Sequence, residues 1–216
     1  MKMKIRISIL SALFLLVGMC GFASAYTIGY DYAVDGNNFT TTYSGAIVET
    51  FESSPLWSWS GSYNVVTGSV GGQYSAPFGV TEKDTTYYVT VPTGNSNGYA
   101  DVALGATYNY FGIWWGSVDN YNTLSFYKDG SEVASFGGAQ IAPPSYGNQV
   151  SDITNLYVNL YDLADFDAFR MTSTSFAFEA DNIAVGVAPV PEPSTLLLLG
   201  SGLLGLGWYG RKRKKA

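Results

Sequence analysis

The chain has 216 residues, with 11 Lys and Arg against 17 Asp and Glu, a net charge of −6, no histidine and one cysteine. Without histidine there is no Ser-His-Asp or Cys-His nucleophilic centre and no histidine-ligated zinc. The 17 tyrosines and 12 phenylalanines, broken up by 25 glycines, favour short strands and turns over helices.

Residues 1–25 read as a secretory signal peptide. Lys2, Lys4 and Arg6 form the basic start, an apolar run follows, and Ala23-Ser24-Ala25 supplies the small residues of a cleavage site. Cys20 lies inside this segment. The exported chain would therefore have neither thiol nor disulfide.

Residues 26–188 form the body, long enough for a single domain. It holds three cations, Lys83, Lys128 and Arg170, against sixteen acids, a net of −13. Phosphate binding needs a basic surface, so no nucleic-acid partner is expected. Apolar and β-branched runs predict strands at 46–52, 63–70, 85–91, 99–105, 108–115, 123–127, 132–136, 155–161, 167–172 and 176–187. Lys128-Asp129-Gly130-Ser131 joins two of them, and Asp-Gly is suited to the positive φ angles of a tight hairpin. There is no amphipathic helix pattern and no internal repeat. The expected fold is all-β, a β-sandwich of jelly-roll type.

Only carboxylates remain for acid–base chemistry. A glycosidase needs two of them roughly 5–10 Å apart across a cleft. Sixteen acids bring some pair together by chance, so no catalytic pair stands out and no enzymatic activity is expected. Calcium is a better use of such groups, because it takes hard oxygen ligands. Phe51-Glu52 at the end of the first strong strand and Asp181-Asn182-Ile183 in the last resemble the pairing around one calcium in secreted jelly rolls. Glu52 and Asp181 are thus the candidate calcium ligands, with solvated surface acids as the alternative. Asp162, Asp165 and Asp167 lack the spacing and glycine of an EF-hand loop.

The run 108–115 alternates. Phe111, Ile113 and Trp115 fit the core, and Tyr108, Tyr110 and Trp114 fall on the opposite face. Flat exposed rings stack on sugars, so these three are candidate carbohydrate contacts. Packing against a second layer would explain the same pattern, and burial decides between the two. Trp57 and Trp59 raise the same question.

The tail begins at residue 189. Val190-Pro191-Glu192-Pro193-Ser194 is stiff and extended, because proline lacks an amide donor and biases its predecessor away from helix. Residues 195–210 form an uncharged run rich in Leu and Gly. As a helix it would span about 25 Å, a little short of a bilayer core, with Trp208 and Tyr209 at the interface. Arg211, Lys212, Arg213, Lys214 and Lys215 then form a basic stop that stays cytoplasmic and leaves the body outside. A single C-terminal transmembrane helix in the inner membrane is therefore expected.

The motif 190–194, the short helix and the basic stop together resemble the PEP-CTERM sorting signal, also described as the C-terminal domain of ice-binding proteins. The resemblance implies an exosortase that recognises and processes the tail. It also implies an inner-membrane-anchored precursor and a product at the cell surface or in the extracellular exopolysaccharide. Three body blocks, GSVGGQYSAPFG at 68–79, YFGIWWGSVDNYNT at 110–123 and FEADNIAV at 178–185, resemble the Npun-type group of exosortase-dependent surface proteins. That likeness implies a β-sandwich of unassigned activity. Two roles stay open for the body: a structural or adhesive surface protein, or a lectin-like module that binds exopolysaccharide or another glycan.

Overall fold

The computed structural model describes residues 26–188 together with 200 and 202. The signal peptide, the sorting motif and the basic stop expected above lie outside the described residues, as does the tail helix apart from those two positions. Among the described residues no helix is long and apolar enough to cross a membrane.

Within residues 26–188, fourteen strands and one short helix follow in order: β1 (Thr27–Gly29), β2 (Ala33–Asp35), β3 (Asn38–Thr40), β4 (Ile47–Glu49), β5 (Ser58–Gly61), β6 (Asn64–Val66), β7 (Tyr88–Val91), β8 (Gly98–Tyr108), β9 (Tyr110–Gly116), β10 (Asn122–Lys128), β11 (Ser131–Gly137), α1 (Gly138–Ile141), β12 (Leu156–Tyr161), β13 (Phe166–Ser173) and β14 (Phe178–Gly186). All ten strands expected from sequence have a counterpart. The additional ones, β1, β2, β3 and β5, are three or four residues long, too short for a period-two pattern to be read. The fold is all-β.

The strands form two sheets, all paired antiparallel, and a small β2–β3 hairpin. One sheet runs β1-β12-β9-β14-β7-β6, with β4 also on β14. The other runs β11-β10-β13-β8-β5. Their facing surfaces share one core. Phe111, Ile113, Trp115 and Phe178 of the first sheet meet Val102, Phe126, Phe166 and Phe169 of the second. Phe111 packs edge-on against Phe126 and Phe169, each with ring centroids 5.0 Å away. Asp129 and Gly130 close the β10–β11 hairpin with φ of 50° and 79°, the geometry expected of Asp-Gly.

The outer face of the seven-stranded sheet is covered, not open to solvent. Trp114 and Tyr157 form a second apolar cluster with Phe39 from β3, and the Phe39 and Trp114 rings lie 5.2 Å apart. Tyr110 packs with Ala184 and Ala188, and Tyr43 stacks on it at 4.0 Å. Its hydroxyl donates to Asn159 Oδ1 at 2.6 Å, and Asn159 Nδ2 donates to the Asp31 carbonyl at 2.6 Å. Gly112 is required on this face: a Cβ there would stand 2.7 Å from the hydroxyls of both Tyr110 and Tyr157. The N-terminal segment thus forms a third layer over β9, β12 and β14.

That layer overturns the sugar-platform reading of Tyr108, Tyr110 and Trp114. The alternation holds within β9, where Phe111, Ile113 and Trp115 enter the central core, but Tyr108 ends β8 instead and does not share the outer face. Tyr110 and Trp114, however, are fully buried, and Tyr108 is half-buried against that core. No stacking face is left on Tyr110 or Trp114 for a sugar, so the three rings form no platform. Trp57 and Trp59 also pack onto the core, with Trp59 edge-on to Phe169 at 5.9 Å.

Candidate functional site

Two acids, Glu179 and Asp181, lie two residues apart on β14 and so point to the same covered face. Each lines a cavity, and the two differ in how their oxygens are satisfied.

Glu179 lies under the 72–78 and 117–121 loops. Its Oε1 accepts from the Ser75 amide at 2.8 Å and its Oε2 from the Ser117 hydroxyl at 3.0 Å. Lys83 reaches the same shell through the Ser75 hydroxyl at 2.7 Å. Burial pushes the Glu179 carboxyl up to about 7, against the pull of the two hydrogen bonds, and Asp119 adds repulsion. The adjoining cleft, of about 310 Å³, is lined by Tyr74, Asp119, Tyr121, Tyr146 and Gln149. Burial also raises the Asp119 carboxyl.

Asp181 sits at a break in the strand edge. On one side of β14, β7 pairs with 178–180 and β4 pairs with 183–185. The two short strands lie end to end, and Asp181 and Asn182 face the gap between them. The β14–β9 register slips over this stretch, and Asn182 adopts φ of 47°. The carbonyl of Asn182 is held by the Tyr157 hydroxyl at 2.9 Å, and its side-chain amide donates to the Phe39 carbonyl at 2.9 Å. The bulge is therefore anchored to the third layer. Chain leaving β4 brings Thr50 and Glu52 to the gap, and chain entering β7 brings Asp84 and Thr86. A cavity of about 270 Å³ opens there, lined by Asp35, Asn38, Glu52, Thr86, Asp181 and Asn182.

The expected calcium pair, Glu52 and Asp181, does reach one cavity. Glu52, however, is exposed at its rim, and its Oε1 accepts from the Tyr87 amide at 2.8 Å. The carboxylate that acts most strongly on Asp181 is Asp84, which the strand pattern did not single out. Burial first, and Asp84 second, push the Asp181 carboxyl well above the usual range, and Glu52 adds the same sign. Asp84 and Asp181 are 2% and 1% exposed, so neither can be hydrated as a surface acid is. A signal was present in FEADNIAV. Two acids on one face of an otherwise apolar strand are costly to bury unless a polar site receives them.

Comparison with known proteins bears on the tail. The family model of the PEP-CTERM protein-sorting motif matches residues 189–214. No curated protein and no solved structure matches the chain. The matched segment contains Val190, Pro191, Glu192, Pro193 and Ser194 and the basic residues Arg211, Lys212, Arg213 and Lys214. The chain carries a PEP-CTERM protein-sorting motif, which implies export and an exosortase-dependent sorting system.

Proposed function

We propose that residues 26–188 are a non-catalytic structural or adhesive module, of jelly-roll type, delivered to the envelope or its exopolysaccharide through the sorting tail. The observation that carries this reading is the sorting motif at 189–214, whose first residue comes three positions after the end of β14 at Gly186. The signal peptide directs export, the tail helix holds the precursor in the inner membrane, and the basic stop keeps the C-terminus cytoplasmic. A stop that only anchors has no need of a rigid Pro-Glu-Pro segment, whereas a membrane protease can grip one. The body's −13 charge suits an exported domain that stays soluble. No catalytic role is assigned to Glu179, because both of its oxygens already hold the fold together.

The test is processing in an exosortase-bearing host. Deleting the exosortase, or changing Pro191, Glu192 and Pro193 to alanine together, should leave a larger, membrane-bound form. Full-length protein in the membrane of an intact host, with no shorter form in any fraction, would make the tail a plain anchor.

A glycan-binding reading is favoured by one feature, the open face of the five-stranded sheet. There Arg170 forms a bidentate pair with Asp101, Nε to Oδ1 at 2.6 Å and Nη2 to Oδ2 at 2.9 Å. Its guanidinium carbon lies 4.2 Å from the centroid of the Tyr99 ring and 5.5 Å from that of Tyr127. Beside them Ser58, Ser60, Ala103 and Ala168 line a groove of about 380 Å³. Rings and a fixed guanidinium above small residues suit sugar rings and hydroxyls. Glycan-array binding that falls in Tyr127→Ala would support this role; an array with no signal would remove it.

A further inference from the structure

The gap between β4 and β7 holds more negative charge than the protein satisfies. Asp84 Oδ2 and Asp181 Oδ1 are both buried, and neither receives a hydrogen bond from any other group among the described residues, although the two carboxyl groups lie close enough to bond each other when one is protonated. Asp84 Oδ1 accepts from the Thr86 amide at 2.9 Å. The Thr86 hydroxyl stands between the two carboxylates, 2.5 Å from Asp84 Oδ1 and 3.5 Å from Asp181 Oδ2. A hydroxyl has one proton to donate, so it cannot serve both. Buried like charges whose oxygens accept no hydrogen bond are strongly unfavourable unless a positive charge joins them. The described cations lie elsewhere: Lys128 pairs with Asp167, Arg170 with Asp101, and Lys83 donates to Ser75. The Glu179 cleft, in contrast, makes no such demand, because each of its carboxylate oxygens has a donor.

We propose that Asp84 and Asp181 hold a calcium ion in this gap, with the Thr86 hydroxyl and water completing an all-oxygen shell. Among the described residues no three Asp, Glu, His or Cys side chains converge on one point. The site is therefore built on two carboxylates and neutral oxygens, and Glu52 contributes negative potential from the rim. The donors are hard oxygens without thiolate or imidazole, which selects against copper and zinc. Their irregular arrangement around a strand bulge suits calcium, which accepts six to eight oxygens in flexible geometry, over magnesium, which demands a near-ideal octahedron. The ion would bridge the chain entering β7 and the bulge of β14. Binding would thus tie the third layer's anchor at Asn182 to the sandwich.

The test is calorimetric titration of the full chain, purified in detergent and stripped with a chelator, using calcium chloride and magnesium chloride in parallel. One calcium per chain is expected, with weaker magnesium binding and a melting temperature several degrees higher at saturating calcium. Asp84→Asn and Asp181→Asn should each abolish the heat and the shift. If either variant fails to fold, Thr86→Val decides, because it leaves both carboxylates in place. A roughly tenfold loss of affinity supports the site, and unchanged affinity overturns it. Wild-type protein with no calcium heat up to roughly 10 mM, beyond the weakest extracellular calcium modules, overturns it too. Stabilisation by acid with indifference to calcium would show that the pair shares a proton instead.

Discussion

In the seven-stranded sheet β9 and β14 are buried at every residue, whereas in the five-stranded sheet β8 and β13 alternate between buried and accessible positions. The difference comes from what lies outside each sheet. The N-terminal segment covers β9, β12 and β14 with Phe39, Tyr43 and Asp31, while Tyr99, Asp101, Tyr127 and Arg170 face solvent on the other side. A strand covered on both faces reads as a nearly continuous apolar run, as in parallel sheets, even though every pair here is antiparallel. Polar groups on the covered face are consequently few and tightly bonded. Trp114 Nε1 and Thr90 Oγ1 are buried without a partner as well, but among the described residues only the pair at the β4–β7 gap leaves carboxylate oxygens unsatisfied, and there a ligand is to be sought.

The sharpest way to break this contrast is to truncate a ring on the covered face. Trp114→Ala should cost about 3–5 kcal/mol, because it empties a fully buried site between β3 and β12. Denaturant unfolding of the full chain in detergent checks this, and a loss below about 1 kcal/mol would mean that the third layer is not firmly seated.

The next largest effect is on pH dependence. The Glu179 carboxyl titrates near 4.5 in the unfolded chain and at about 7 in the fold. Between those values the folded state binds more protons. Stability should therefore fall as pH rises from about 4.5 to about 7, then level off, losing about 3 kcal/mol in all. Glu179→Gln should remove most of that slope when chelator is present. Asp181 pulls in the same direction, so a residual slope should remain. A slope unchanged by Glu179→Gln would place the burial cost elsewhere.

The smallest effect belongs to the open face. Tyr99→Ala should cost under about 1 kcal/mol, since the ring is 46% exposed and loses mainly its contact with the Arg170 guanidinium. Cleavage of the pair in Arg170→Ala should be similarly mild, because both partners are more than a third accessible. If Tyr99→Ala proved as damaging as Trp114→Ala, the open sheet would have a hidden cover of its own.

Residue order alone sufficed for the longer strands, the Asp129-Gly130 hairpin and the sorting tail. In each of these the signal is local: a side-chain period, a turn that needs positive φ, or a compact run of proline, leucine and arginine. It also sufficed to put Phe111, Ile113 and Trp115 on one face and Tyr110 and Trp114 on the other. Whether the second face meets water depends on residues some seventy positions away, Phe39 and Tyr43, and no local period carries that information. The same holds for the acid pair. Asp181 was visible as a carboxylate in an apolar strand, but its partner Asp84 is brought to it only where β4 and β7 meet end to end on β14. Period encodes which way a side chain points, and only the tertiary fold decides what stands opposite it.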